Sequence, residues 1–142
     1  MKRPIASVIA LSLGTIMMMS IAGCAGRTLQ ISGINYILTS EESLTKGKKI
    51  PTAVFGLEDK ISFHVYIKWD DPTQRYGTHS VVYNWYLNEK LVSTARRYVN
   101  FNSTPTELWT KRDASVLGPG HYKVEIAIDG QTVGATEFDI KQ

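Results

Sequence analysis

Apolar and polar residues alternate with a period of two along most of the chain beyond Gln30. That period turns one face of a strand toward a core and the other toward water. Ile61 to Trp69 shows it best: Ile61, Phe63, Val65, Ile67 and Trp69 alternate with Ser62, His64, Tyr66 and Lys68. Asp70-Asp71-Pro72 breaks the run as a turn. A second alternation follows, with Val81, Tyr83, Trp85 and Leu87 opposed by Val82, Asn84 and Tyr86. These two strands are expected to be central. Leu29, Ile31, Ile34, Tyr36 and Leu38 predict an opening strand with a bulge at Gly33, a residue that tolerates such irregularity. Thr39 to Pro51 is polar and lysine-rich and reads as a solvated loop, ahead of a short strand at Ala53-Val54-Phe55.

In the second half, Asn88-Glu89-Lys90 connects to Leu91–Val99, a peripheral arm in which Ser93, Arg96 and Arg97 point to exposure. Asn102 to Pro105 turns the chain, Leu108 and Trp109 supply a short strand, and Lys111 to Ala114 leads to Leu117-Gly118-Pro119-Gly120. Tyr122, Val124, Ile126 and Ile128 then alternate up to Asp129-Gly130, a dipeptide suited to a two-residue hairpin turn with positive backbone angles. Val133 and Ala135 fall out of phase with Phe138 and Ile140, so one inserted residue is expected near Gly134. No helical periodicity of useful length follows Cys24. About seven to eight strands at this spacing predict an all-β fold, a single antiparallel sandwich over residues 31–142.

Composition agrees with a packed core: 142 residues as one domain, 43% apolar and 20% charged. A lone cysteine, Cys24, makes no internal disulfide and no structural zinc site.

The first segment reads as an address. Lys2 and Arg3 precede an uncharged stretch from Pro4 to Gly26 that is apolar through Met19 and then small, ending Ser20-Ile21-Ala22-Gly23-Cys24. This is the order of a signal peptide. The stretch is also long enough for a retained membrane helix, since about 20 apolar residues cross a bilayer. Its serine, threonine and glycine content and its small end favour processing. Ile21-Ala22-Gly23-Cys24 resembles the lipobox of bacterial lipoproteins, with Ile21 in place of the commoner leucine. The resemblance implies a diacylglycerol on Cys24, cleavage between Gly23 and Cys24, and acylation of the new amino terminus. Residues 1–23 would be the signal peptide, 24–30 the lipidated tether and 31–142 the sandwich. One acyl chain is only marginally anchoring, and three would hold permanently. Ala25 stands where an aspartate would, by the enterobacterial rule, retain a lipoprotein at the inner membrane, so the resemblance implies the periplasmic face of an outer membrane.

Processing also changes the charge. It removes Lys2 and Arg3 from 16 basic residues, leaving 14 against 13 acidic ones. A net charge near +1 offers no clustered cationic excess for nucleic acid, which is therefore not an expected partner.

Leu117-Gly118-Pro119-Gly120-His121-Tyr122-Lys123-Val124 resembles the corner before the penultimate strand of immunoglobulin-like and fibronectin-type domains. The resemblance implies that Tyr122 turns its ring inward and bonds its hydroxyl to upstream backbone. Trp85 resembles the inner tryptophan of such folds, without their cysteine pair. Trp69, Trp85, Gly120, Tyr122, Asp129 and Gly130 are therefore assigned to structure.

No nucleophile elbow, paired-histidine zinc motif or phosphate-cradling glycine loop occurs in the chain. His64, His79 and His121 have no ligand spacing to one another, so neither metal nor cofactor is expected, and an enzyme, as a hydrolase, is the least favoured class. Tyr66, Tyr86, Arg96, Arg97, Tyr98, Trp109, Lys111 and Arg112 form the candidate binding surface, because aromatics and arginine dominate binding hot spots. The expectation is a membrane-anchored envelope module for binding or assembly. Its partner would be another envelope protein, as in a secretion or pilus-assembly machine, or a glycan or small ligand. Unpaired edge strands offer a further route, by taking up a partner's strand.

Overall fold

The structure is a computed structural model that describes residues 30–69 and 77–142. The expected signal segment, Gly23, Cys24, the expected tether and first strand residue up to Leu29, and the expected turn at Asp70-Asp71-Pro72 lie outside the described residues. The elements run β1 (Ile31–Ser40), α1 (Glu41–Thr45), β2 (Val54–Phe55), β3 (Lys60–Trp69), β4 (Gly77–Leu87) and β5 (Lys90–Phe101). They continue with β6 (Thr106–Asp113), α2 (Ala114–Leu117), β7 (Gly120–Ile128) and β8 (Gln131–Ile140). Among the described residues the strands form two sheets, ordered β1-β3-β6 and β2-β8-β7-β4-β5.

The two cleanest alternations are central, one in each sheet: β3 lies between β1 and β6, and β4 lies between β7 and β5. The first bulge falls between Ile31 and Gly33. The phase slip in the last strand is a bulge at Val133, since Ile126 pairs with Gly134 and Ala127 with Thr132. A third bulge leaves Val92 extra, because Trp85 pairs with Ser93 and Tyr86 with Leu91. Asn88 and Glu89 both take positive φ, 47° and 68°, as do Asp129 and Gly130 at 50° and 82°, so both hairpins close on two-residue turns whose twist suits the strands.

Four expectations need correction. The stretch from Thr39 to Pro51 is not all loop: β1 runs to Ser40, whose hydroxyl accepts from the Ser43 amide at 3.3 Å and caps the one-turn helix α1. Capping by a local hydroxyl needs no long apolar periodicity, so the hydrophobic pattern does not reveal it. Leu108 and Trp109 belong to an eight-residue strand, β6, that takes in Lys111–Asp113, and helix α2 follows from Ala114. Polar residues extend β6 because its partner β3 bonds its backbone along the whole length. The pairing is not wholly antiparallel, since β2 runs parallel to the end of β8. The first strand of that short pair is Val54–Phe55.

The core sits between the sheets. Phe138 is at its centre, stacked on Tyr122 with centroids 5.4 Å apart and edge-on to Trp85 at 5.8 Å and Phe55 at 5.7 Å. Such pairs add about 0.5–1.5 kcal/mol each beyond area burial. The Tyr122 hydroxyl bonds Leu117 O and lies 2.9 Å from Gly118 O, which pins the turn after α2 to the start of β7. Gly120 has φ 153°, and a Cβ there would stand 2.5 Å from Leu87 Cδ1, so the corner needs glycine. Trp69 closes the opposite end, donating from Nε1 to Thr106 Oγ1 at 3.1 Å and meeting Phe101 edge-on. The Asp129 carboxylate accepts from the Ser80 amide at 3.0 Å and lies 2.6 Å from His79 Nδ1, tying the last hairpin turn to β4.

Tyr122→Phe is expected to lower stability by about 1 kcal/mol through the lost hydroxyl bond, measured as a shifted urea midpoint at unchanged slope. Phe138→Ala removes the centre of the aromatic cluster and is expected to cost about 3–5 kcal/mol in the same measurement.

Candidate binding surface

Alternation along β6 turns Leu108 and Thr110 inward and Glu107, Trp109 and Lys111 outward. Across the ladder Tyr66 stands opposite Glu107, His64 opposite Trp109 and Ser62 opposite Lys111, so these side chains share the outer face of the three-stranded sheet. Glu107 is the hub of that face. Its Oε1 accepts from Lys49 Nζ at 3.0 Å and from the Tyr66 hydroxyl at 3.2 Å, and lies 3.2 Å from His64 Nδ1. Lys49 also donates to the Tyr66 hydroxyl oxygen. The hydrogen bond from Lys49 holds the Glu107 carboxyl below its ordinary range, and the bonds to Tyr66 and then Glu107 raise Lys49.

His64 Nε2 lies 2.9 Å from Ser62 Oγ, so hydroxyl, imidazole and carboxylate stand in the order used by nucleophilic hydrolases. Ser62, however, is 0% exposed, and no acyl group can approach its oxygen. The chain of bonds fastens β3 to β6. Considering histidines only against one another misses it. The available signal was the two-residue spacing of Ser62 and His64, which puts both on one strand face, while Glu107 enters only through the strand pairing.

The open side of the sandwich is bounded by β5 and β6, each at the end of its own sheet. Arg97 pairs with inward-facing Val81 and so points toward the opposite sheet. Its guanidinium reaches Trp109, with Cζ 5.0 Å from the ring centroid and Nη1 donating to Trp109 O at 3.4 Å. Lys111 Nζ is 5.4 Å from the same ring and donates to Glu41 Oε1 at 2.6 Å. Arg112 points inward from β6, donating from Nε to Ser93 Oγ at 2.9 Å and from Nη1 to Lys111 O at 2.7 Å. Its Cζ lies 5.7 Å from the Trp85 ring. The Trp85 Nε1 itself has no hydrogen-bond acceptor among the described residues. Nearby, burial pushes the Tyr83 hydroxyl up to about 12, with the charge of Arg97 opposing.

The eight candidate residues therefore divide. Tyr66, Trp109 and Lys111 lie on the outer face of the three-stranded sheet, and Arg97 and Arg112 fill the seam between the sheets. Tyr98 and Arg96 pair with Ser80 and Val82 on the outer face of the five-stranded sheet. Tyr86 is on that face too, under Lys123 Nζ at 4.9 Å from its ring. Arg96, Arg97 and Tyr98 are neighbours in sequence but cannot share one face, because successive strand residues point opposite ways. The seam group of Arg97, Trp109, Lys111 and Arg112 is the part brought together. Among the described residues, Arg96, Arg97 and Arg112 have no carboxylate within 4.0 Å, whereas Lys111 is paired with Glu41. Trp109 is 43% exposed and Tyr98 70%.

A shallow cleft of about 400 Å³ lies at the far end of the five-stranded sheet, lined by Tyr86, Asn88, Glu89, His121, Lys123 and Glu137. His121 Nδ1 is 2.7 Å from Asp139 Oδ1, and that bond raises its pKa above the ordinary 6.5. Among the described residues no group of three or more His, Cys, Asp or Glu could hold a metal ion.

With this geometry in hand, the relationships of the chain can be stated. No protein-family model matches it, and no curated protein does. Among solved structures it is similar to an immunoglobulin-like protein of Pseudomonas aeruginosa, at 9% identity and TM-score 0.51, over 84% of this chain and 100% of that one. It is also similar to part of an alkylpurine DNA glycosylase from Pseudomonas fluorescens (12% identity, TM-score 0.49, 77% of this chain and 30% of that chain). A third likeness is to part of a β-glucosidase from Listeria innocua (9% identity, TM-score 0.49, 77% of this chain and 16% of that chain). The first likeness, with the sheet order and the tyrosine corner, defines the chain as an immunoglobulin-like β-sandwich. At this identity the relation is one of fold, and the two enzymes carry no argument for this chain.

The lowered carboxyl of Glu107 gives a pH prediction with a definite sign. Its ionised form contributes stability that is fully present above the ordinary carboxylate value of 4.5 and is lost as pH falls through the lower folded value. In Glu107→Gln, urea midpoints measured from neutral to acid pH are expected to lose that component of the acid-side fall.

Proposed function

We propose that this protein is a lipid-anchored component of a bacterial cell envelope, whose immunoglobulin-like sandwich binds another envelope protein and does no catalysis. The binding half is carried by one observation: on the side bounded by β5 and β6, Arg97 and Arg112 in the seam and Arg96 on the adjoining outer face have no carboxylate partners among the described residues, and Tyr98 and Trp109 there are exposed. Cations without carboxylate partners favour an acidic partner by electrostatic complementarity. Two cations within 5.4 Å of the Trp109 ring compete with a sugar for its π face, which favours a protein partner over a glycan.

The anchoring half rests on Ile21-Ala22-Gly23-Cys24. A lipid on Cys24 would leave a tether of about 20 Å before β1 begins at Ile31. Ile31 pairs with Trp69, so the tether would join the end of the sandwich that also holds Phe101 and the Asp129-Gly130 turn. The opposite end, with α1, α2 and the Asn88-Glu89 turn, would face away from the bilayer. The reading places the domain at the periplasmic face of an outer membrane.

Labelled palmitate should enter the parent chain and fail to enter Cys24→Ser, and the mature mass should lack residues 1–23. Equal labelling of the mutant, or an intact leader on native material, would falsify the anchor. A photo-crosslinker placed at Tyr98 in intact cells should yield a defined protein adduct that disappears in Arg96→Glu. Adducts of equal yield from Val116, which is 78% exposed at the other end, would remove the case for a binding side.

A further inference from the structure

Building on that reading, we infer that the recognition element is the open edge of β5, which accepts an extended acidic segment of the partner as an additional strand. The edges of this sandwich are not equivalent. β2 spans two residues, and β1, which begins with a bulge between Ile31 and Gly33, already accepts at its Leu38 carbonyl from the Thr52 amide. On β6, the carbonyls of Trp109 and Lys111 already accept from the guanidinium groups of Arg97 and Arg112. Among the described residues the backbone of β5 pairs only with β4, and from Ser93 to Phe101, beyond the Val92 bulge, it contains neither proline nor glycine. Proline, bulges and covering segments are among the usual means of blunting an edge, and among the described residues this stretch has none; its charges, Arg96 and inward-facing Arg97, oppose strands that carry no acidic residues. An edge left in that state can take up a strand by backbone hydrogen bonds, with side-chain contacts supplying specificity.

The charges select the occupant. Arg96 stands on the outer face, opposite Val82, and Arg97 on the inner side, opposite Val81. Adjacent residues of an added strand also point to opposite faces, so two consecutive acidic residues would meet Arg96 and Arg97, one on each side. A second copy of β5 is a poor occupant: antiparallel self-pairing about Arg96 and Arg97 sets cation against cation. Exposed Tyr98, Leu91 and Val92 flank the arginines and supply apolar contact for β-branched residues of the incoming strand. The segment therefore consists of an acidic pair within a valine- and threonine-rich run.

The test uses the full lipidated chain in detergent micelles and a blocked peptide of valine and threonine, about ten residues long, with two adjacent glutamates at its centre. Amide hydrogen exchange is read across the molecule. Expected is added protection within Ser93–Phe101, lost when the glutamates are replaced by lysines or when alternate peptide amides are methylated. Arg96→Ala, at an exposed position, should weaken binding several-fold, and Arg96→Glu with Arg97→Glu by at least about tenfold, with the near-ultraviolet dichroism of the core aromatics unchanged. The inference is overturned by no protection of β5 at millimolar peptide, by protection centred elsewhere, or by undiminished binding of the methylated peptide. Equal competition by soluble polyglutamate or by anionic phospholipid vesicles overturns it as well, since that would mark a plain electrostatic surface. A native chain that carries no lipid yet gains peptide protection on β5 would sink the anchor alone, and a Tyr98 adduct in cells without β5 protection would sink the edge alone.

Discussion

The contact on which the rest depends is the stack of Phe138 on Tyr122, with Trp85 and Phe55 meeting Phe138 edge-on. It joins β8, β7, β4 and β2 within one sheet and supplies the floor on which Ile61, Phe63 and Val65 of the other sheet lie. Without a disulfide, the two sheets are held mainly by burial, and this cluster gives one of them the apolar face that the other packs against. The Tyr122 hydroxyl extends the cluster outward to the carbonyls after α2, which turns a core ring into a fastener for a surface corner.

Closure of the two sides is achieved differently. On one side β1 lies over β8, with Tyr36 in van der Waals contact with the position of Gly134. On the other, β5 and β6 are bridged by guanidinium groups: Arg97 reaches Trp109 and Arg112 reaches Ser93. Apolar side chains would close that side more cheaply in desolvation, whereas arginines leave it partly open and charged. The same residues that hold the sheets together thus give this side its electrostatic character.

Period-two alternation, the Asp129-Gly130 turn, the Gly33 and Val133 irregularities and the inward Tyr122 could all be read from neighbouring residues, because each depends on local backbone geometry. The helix α1 and the full length of β6 could not. Ser40 caps one turn through its hydroxyl, and β6 holds its polar residues in line only because β3 bonds them from nearly fifty residues earlier in the chain. The candidate surface shows the same division: eight aromatic and basic residues were identifiable by type, but their sorting onto two outer faces and a seam needed the pairing.

The sequence by itself determined the sandwich class, the core faces of the main strands and the tight turns, since strand alternation and turn angles are properties of a few consecutive residues. It also carries Ile21-Ala22-Gly23-Cys24, which resembles a lipobox and lies outside the described residues. Only the tertiary structure decided that Ser62, His64 and Glu107 bond in a sealed line. It alone decided that Arg97 meets Trp109, and that β5 rather than β6 keeps an open edge. Those outcomes depend on which strands become neighbours, and that is set by the burial of both sheets against each other.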